Sequence, residues 1–247
     1  MIKNFLLVAA LALFTLVSQA QDNFELQMKV YSNALRYYDL PVATTALYNA
    51  MAIKPERKDL RDSLALIYFA GERYAQSYTL GEEILKDNPK RTDILELVAV
   101  SKQSLGMTKE ALADYENLYK AQKQAFYLYQ IATLQYQLKR YGECVASLDQ
   151  IISDPEAKKQ TVNIRNANGA GQSVPMVAAA CNVKGIVALE LNQEASAKEL
   201  FNKALAEFPD FVLAKGNLLQ LEQKQNKATG TGSTAPSGTA PKVAPKK

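Results

Sequence analysis

The sequence predicts an all-α fold, a solenoid of about five stacked helix hairpins closed by a capping helix, and three observations carry that prediction. Pro55 and Pro89 stand 34 residues apart, each closing an apolar helical segment, and Phe201 to Phe208 before Pro209 repeats that ending. Small residues recur in the same register. Ala65, Ala99, Ala132 and Gly185 hold the eighth position, and Ala43, Ser77, Ala111, Cys144 and Ala197 the twentieth. A turn signal falls midway in each period, as in Gly71-Glu72-Arg73, Leu105-Gly106-Met107, Leu138-Lys139-Arg140 and Leu191-Asn192-Gln193. A fixed period of this length is the signature of a helical-repeat array.

Residues 1–20 read as a leader rather than as part of the fold. Lys3 gives a positive start, and Phe5 to Val17 is a run of 13 apolar or small residues broken by Thr15 alone. Ser18-Gln19-Ala20 then supplies a cleavage site before Gln21, the layout of a secretory signal peptide. The run is shorter than the roughly 20 residues a membrane-spanning helix needs. Without a Cys at the cleavage point, a lipoprotein is not expected. The chain is therefore expected to be exported, to the periplasm in a diderm bacterium and to the medium otherwise, with no integral span after cleavage.

The repeats run near 24–57, 58–91, 92–124, 125–158 and 178–211. Lys123 stands where the register would place a closing proline, Gly81 is small where the other repeats have Leu47, Tyr115, Leu148 and Phe201, and Tyr31 is large at the eighth position. Between the fourth and fifth repeats lies an insert, 159–177. Its Thr161-Val162-Asn163-Ile164 and Gln172-Ser173-Val174 segments flank an Asn168-Gly169 pair, which reads as a β-hairpin or a long ordered loop. An amphipathic segment, 211–225, caps the last repeat, because the end of a solenoid needs a polar outer face. Residues 226–247 are built from Gly, Ser, Thr, Ala, Pro and Lys, have little to bury and read as a disordered tail.

Period and small-residue register together resemble the tetratricopeptide repeat (TPR), and with the leader the chain resembles an exported bacterial protein of that family. The resemblance covers residues 24 to about 211. It implies a right-handed superhelix whose concave groove is lined by the first helix of each hairpin. By that geometry the groove residues are Asp62, Leu66, Phe69, Glu96, Val100, Gln103, Tyr129, Thr133, Tyr136 and Ile186. Asp59, Asp62, Asp93 and Glu96 would make one end acidic, and Tyr129 and Tyr136 the other aromatic, which suits a basic or apolar extended segment. The paired Lys and Asn with which some relatives grip a terminal carboxylate are missing. Ile164, Arg165, Asn168 and Val174 of the insert form a second candidate contact surface. Cys144 and Cys181 lie on neighbouring predicted helices, where a disulfide is open in an oxidising compartment.

Composition narrows the function. The 247 residues hold 29 Lys and Arg, 25 Asp and Glu, no His, no Trp and two Cys, for a net charge of +4. One base lies in the first twenty residues and four in the last twenty-two, so the body carries 24 bases against 25 acids. A near-neutral body argues against nucleic acid as the partner. Without His there is no Ser-His-Asp or Cys-His catalytic unit and no imidazole ligand. No catalytic residue, metal or cofactor is predicted. The expected function is a non-catalytic scaffold for a protein or peptide of the cell envelope, with homo-oligomerisation left open. Two other classes compete: glycan binding by stacking on Tyr129 and Tyr136, and carboxylate chemistry at Asp62 and Glu96. Repeats, insert and cap account for all of 24–225, and the absence of Trp weighs against the glycan.

Overall fold

The computed structural model describes residues 21–165 and 169–228. The chain divides into two compact units, Met1–Arg140 and Tyr141–Lys247. The leader predicted for 1–20, Asn168 of the insert and the tail beyond 228 lie outside the described residues. The described chain is all-α except for one two-stranded sheet in the second unit.

The first unit is a succession of hairpins: α1 (21–36), α2 (Leu40–Ile53), α3 (Asp59–Ala70), α4 (Tyr74–Asp87), α5 (Thr92–Ser104), α6 (Thr108–Gln122) and α7 (Ala125–Gln137). Helix α2 starts where Pro41, in the first turn, gives up an N–H that would be unsatisfied anyway, and the Asp39 carboxylate accepts from Val42 N–H at 3.3 Å. Helices α2 and α4 end at Lys54 and Asn88, each in a non-helical conformation just before Pro55 and Pro89. A proline forces that exit by crowding the residue that precedes it. Where the third repeat has Lys123 instead, α6 ends differently, with Lys123 itself in the left-handed region at φ 55°.

The 34-residue period is written in the backbone. Tyr38, Glu72, Gly106 and Lys139 close the first helix of successive hairpins, with φ of 55°, 56°, 74° and 57°. After each, the next N–H reaches back five residues: Asp39 to Ala34, Arg73 to Tyr68, Met107 to Lys102 and Arg140 to Gln135, at 2.8–2.9 Å. This arrangement satisfies helix-end carbonyls and turns the chain sharply. Only Gly106 adopts it without steric cost.

The small residues are where helices meet. Ala43, Ala65, Ser77, Ala99, Ala111 and Ala132 are fully buried. The Ser77 hydroxyl donates to the Ala65 carbonyl at 3.1 Å, joining the twentieth position of a repeat to its eighth. A Cβ on Gly81 would stand 2.5 Å from a Val98 methyl, so α4 approaches α5 too closely for any side chain there. Around these contacts Leu47, Leu60, Leu64, Ile67 and Tyr68 form one core cluster, and Ile84, Ile94, Leu97 and Val98 the next.

The second unit contains α8 (Tyr141–Ser153), a 3-10 turn (Ala157–Lys159), β1 (Thr161–Arg165), β2 (Gly171–Pro175), α9 (Met176–Glu190), α10 (Glu194–Glu207) and α11 (Val212–Ala228). The insert is an antiparallel hairpin that pairs Val162 with Val174 and Ile164 with Gln172. Helix α9 starts at Met176, two residues before the predicted repeat, because Pro175 ends β2 and caps the helix directly. It is buried nearly all round, since α8, α10, α11 and the hairpin all pack on it. Asn192 repeats the left-handed turn at φ 58°, and Gln193 N–H reaches Ala188 at 2.8 Å. Gly185 has the Phe201 ring 2.5 Å from where a Cβ would be. Helix α11 runs past the predicted 225 and takes Asn226-Lys227-Ala228 from the predicted tail, three residues that include neither glycine nor proline. No described helix is long and apolar enough to cross a membrane.

Exposed Glu72 bears the steric cost of a left-handed residue, and its side chain bonds to none of the described residues. Glu72→Gly is expected to raise stability by about 0.5–1 kcal/mol, the relief of left-handed strain less the entropy glycine adds to the unfolded chain. Urea unfolding of the two proteins checks this.

Candidate functional site

Of the first helices of the hairpins, α1, α3, α5 and α7, the last three present the predicted site residues of the first unit. Asp62, Leu66 and Phe69 stand on α3, Glu96, Val100 and Gln103 on α5, and Tyr129, Thr133 and Tyr136 on α7. Ile186 belongs to the second unit, half-buried against the cluster of Ala188, Ala197, Leu200 and Phe201.

The acidic end expected from Asp59, Asp62 and Asp93 is neutralised within the protein. Arg57 holds Asp59 at 2.7 Å, and Arg91 holds both Asp62 at 2.8 Å and Asp93 at 2.7 Å. These guanidinium hydrogen bonds keep the Asp59 and Asp93 carboxyls below the usual carboxylate range. Arg91 lies 29 residues from Asp62 in sequence, so only the packing of α3 against α5 reveals the pair.

What this end offers instead is an apolar cleft of about 290 Å³ between α1 and α3, lined by Tyr31, Leu35, Tyr38, Leu40, Leu66 and Ile67. Leu35, Tyr38 and Leu66 are 39%, 70% and 56% exposed, high values for large apolar side chains grouped on one face. The repeat register identifies Leu66 but not Leu35 or Tyr38. A signal for Leu35 is present in the sequence, because it falls one period before Phe69 and two before Gln103. Phe69 itself is half-buried, edge-on to Tyr74 at 5.9 Å.

Beside the cleft the face becomes polar. Tyr127 on α7 donates to the Glu96 carboxylate at 2.9 Å. Tyr115 donates to Gln103 Oε1 at 3.0 Å, and Gln103 Nε2 donates to Gln130 at 3.2 Å. Burial and then the Glu96 hydrogen bond push the Tyr127 hydroxyl up to about 12, and burial pushes Tyr115 up as well. Tyr129 does not match its expected role: it is 7% exposed, packed within the protein rather than open for stacking. Thr133 turns its hydroxyl to the Gln130 carbonyl at 2.8 Å. Val100 and Tyr136 are half-buried. Behind this face Lys102 is buried between Glu82 and Asp114, each at 2.7 Å, and pins α4, α5 and α6 together. Burial opposes its charge, but the two carboxylates outweigh that and raise its pKa.

A second cavity, about 540 Å³, opens between α2 and α4 over α3. Tyr48 and Tyr68 bond each other there at 2.5 Å, and its Arg61 is engaged by Asp87. Burial and the Tyr48 bond push the Tyr68 hydroxyl up to about 12.

The insert differs from its predicted role in part. Val174 is fully buried and is core rather than contact surface. Ile164 is half-buried and Arg165 exposed. Gln172 ties the hairpin to the last helix. Its amide donates to the Asp210 carbonyl at 2.6 Å and accepts from Val212 N–H at 3.2 Å, so the hairpin caps α11. Cys144 and Cys181 are both buried thiols, not a disulfide, and burial pushes the Cys181 thiol up. No group of three or more Cys, Asp or Glu among the described residues is placed to hold a metal ion.

Stacked hairpins with a repeated left-handed turn and buried small residues define a helical-repeat protein. The fold is that of the tetratricopeptide repeat, and solved TPR structures superpose on it. A TPR protein from Parabacteroides merdae ATCC 43184 matches with a TM-score of 0.65 and 20% identity over 85% of this chain and 76% of its own. YrrB, a TPR protein with an unusual peptide-binding site, matches at 0.59 and 14% over 81% and 90%. The MamA protein matches at 0.59 and 10% over 87% and 100%. No protein-family model matches the sequence, and no curated protein matches it either.

Tyr68 and Tyr127 ionise with more difficulty folded than unfolded, where a tyrosine titrates near 10. The stability they contribute is complete below about pH 10 and is lost as pH rises toward 12. The urea midpoint is expected to fall between pH 8 and pH 11, and Tyr127→Phe to flatten part of that fall.

Proposed function

We propose that the chain is a non-catalytic scaffold that binds a protein segment on the first-helix face of its first unit. The observation that carries this reading is the cleft between α1 and α3, where Leu35, Tyr38 and Leu66 stay exposed together. Grouped large apolar side chains on a soluble surface mark interaction sites. YrrB supports the reading as a solved protein of the same fold with a peptide-binding site.

A photo-crosslinking amino acid at Ser63, on the cleft wall, tests it in cells. One discrete protein adduct is expected, lost on Leu66→Glu and absent when the probe sits at Thr79 on the opposite face. No adduct from Ser63, or equal adducts from both faces, refutes the reading.

We also place this binding in the cell envelope. That location rests on the leader layout of residues 1–20. Mass spectrometry of the protein from its native cells is expected to find an N-terminus at Gln21. A retained Met1 would count against export.

A further inference from the structure

We infer that the first-helix face takes an extended segment of another protein carrying a bulky apolar residue and, about four residues away, a Lys or Arg. The inference rests on the binding reading above and adds the chemistry of the ligand.

The apolar half follows from the cleft. Its walls are Tyr31, Leu35 and Tyr38 on one side and Leu66 on the other, and its volume of about 290 Å³ suits one large side chain. The basic half follows from charge. Asp59, Asp62 and Asp93 each have an arginine in contact. Glu96 is different: it accepts from Tyr127 through Oε2, and no cation among the described residues pairs with it. It is half-buried, so its charge is only partly solvated. A cation brought by a ligand would meet a carboxylate already oriented by Tyr127, on a face where Gln103 and Gln130 also hold each other.

The spacing follows from helix geometry. Helix α5, which carries Glu96, packs against α3, which carries Leu66. Packed helices lie about 8–10 Å apart, and the cleft sits half a spacing beyond α3. An extended chain advances about 3.3 Å per residue, so roughly four residues separate the cleft from Glu96. Arg36, exposed on α1, puts positive charge on the far side of the cleft. It directs the basic residue of the segment away from α1 and toward α5.

The test is selection of a displayed random decapeptide library on the immobilised chain, followed by affinity measurement of the recovered peptides. Enrichment of a large apolar residue with Lys or Arg three to five positions away is expected. Glu96→Gln, which keeps an acceptor for Tyr127, should weaken those peptides about fivefold, the effect of one partly screened ion pair. Glu96→Lys should turn the preference at that position to acidic, and Leu66→Ser should weaken binding without changing it. Peptides that bind and compete at Leu66 but show no basic preference, or one indifferent to Glu96→Gln, overturn the inference and leave the binding reading standing. Failure of every peptide to bind overturns both. A synthetic peptide of residues 229–247 is the remaining arm, because Val243 and Lys247 have the inferred spacing in the chain's own tail. If it binds as tightly as the selected peptides and loses affinity on Glu96→Gln, the occupant is this chain and the assignment to another protein falls.

Discussion

The close approach of helices at the small-residue positions is the constraint on which the rest depends. Eight of these residues have no exposed surface at all: Ala43, Ala65, Ser77, Ala99, Ala111, Ala132, Cys144 and Ala197. Two more, Gly81 and Gly185, have a neighbouring side chain where a Cβ would go. Interiors packed this tightly do not absorb an added methyl freely. The separation of helices within each unit is thus set by residues that contribute little apolar area themselves. The larger residues around them, Leu47, Leu60, Val98 and Phe201, fill what that separation leaves.

One repeat breaks the rule, and the cleft lies there. Tyr31 takes the eighth position, where every later repeat has Ala or Gly, and its ring is half-buried rather than enclosed. It lines the cleft between α1 and α3 together with Leu35 and Tyr38. The left-handed residue of that hairpin is Tyr38 itself, whose large exposed side chain accompanies a backbone conformation that favours glycine. Its hydroxyl reaches the Ala70 carbonyl of α3 at 3.3 Å. The local rule is broken where an exposed apolar surface is gained, the pattern expected of a site kept for binding rather than for packing.

Fold and site were legible in the sequence to different depths, for physical reasons. Helix hairpins, their turns and the insert hairpin follow from local signals: a proline that ends a helix, a turn residue between apolar runs, an Asn-Gly pair between alternating segments. These act over a few residues and survive without knowledge of the neighbours. Site chemistry is nonlocal. Asp62 reads as a groove acid until Arg91 is known to fold back onto it, and Tyr129 reads as a stacking aromatic until its burial is known. Register gives the direction a side chain points, not the depth of what it points into. Val174 shows the same limit in the insert, where alternation correctly predicts a strand and leaves open which face is covered.

Charge makes the same point over the whole chain. The surplus of +4 sits in residues 1–20 and 226–247, which leaves a near-neutral body. Within that body many ions are spent on each other: Arg91 on Asp62 and Asp93, Lys102 on Glu82 and Asp114, Lys184 on Asp149, Lys198 on Glu222. Pairing of this kind contributes little stability at exposed positions, but it removes those groups from competition for a ligand. Of the groove acids Asp59, Asp62, Asp93 and Glu96, Glu96 alone has no cation among the described residues, and selectivity on the first-helix face then falls to it and to the apolar cleft. Asp62 and Asp93, the groove acids that precede Glu96 in the repeat register, are already held by Arg91 and offer a misplaced cation a poor alternative partner.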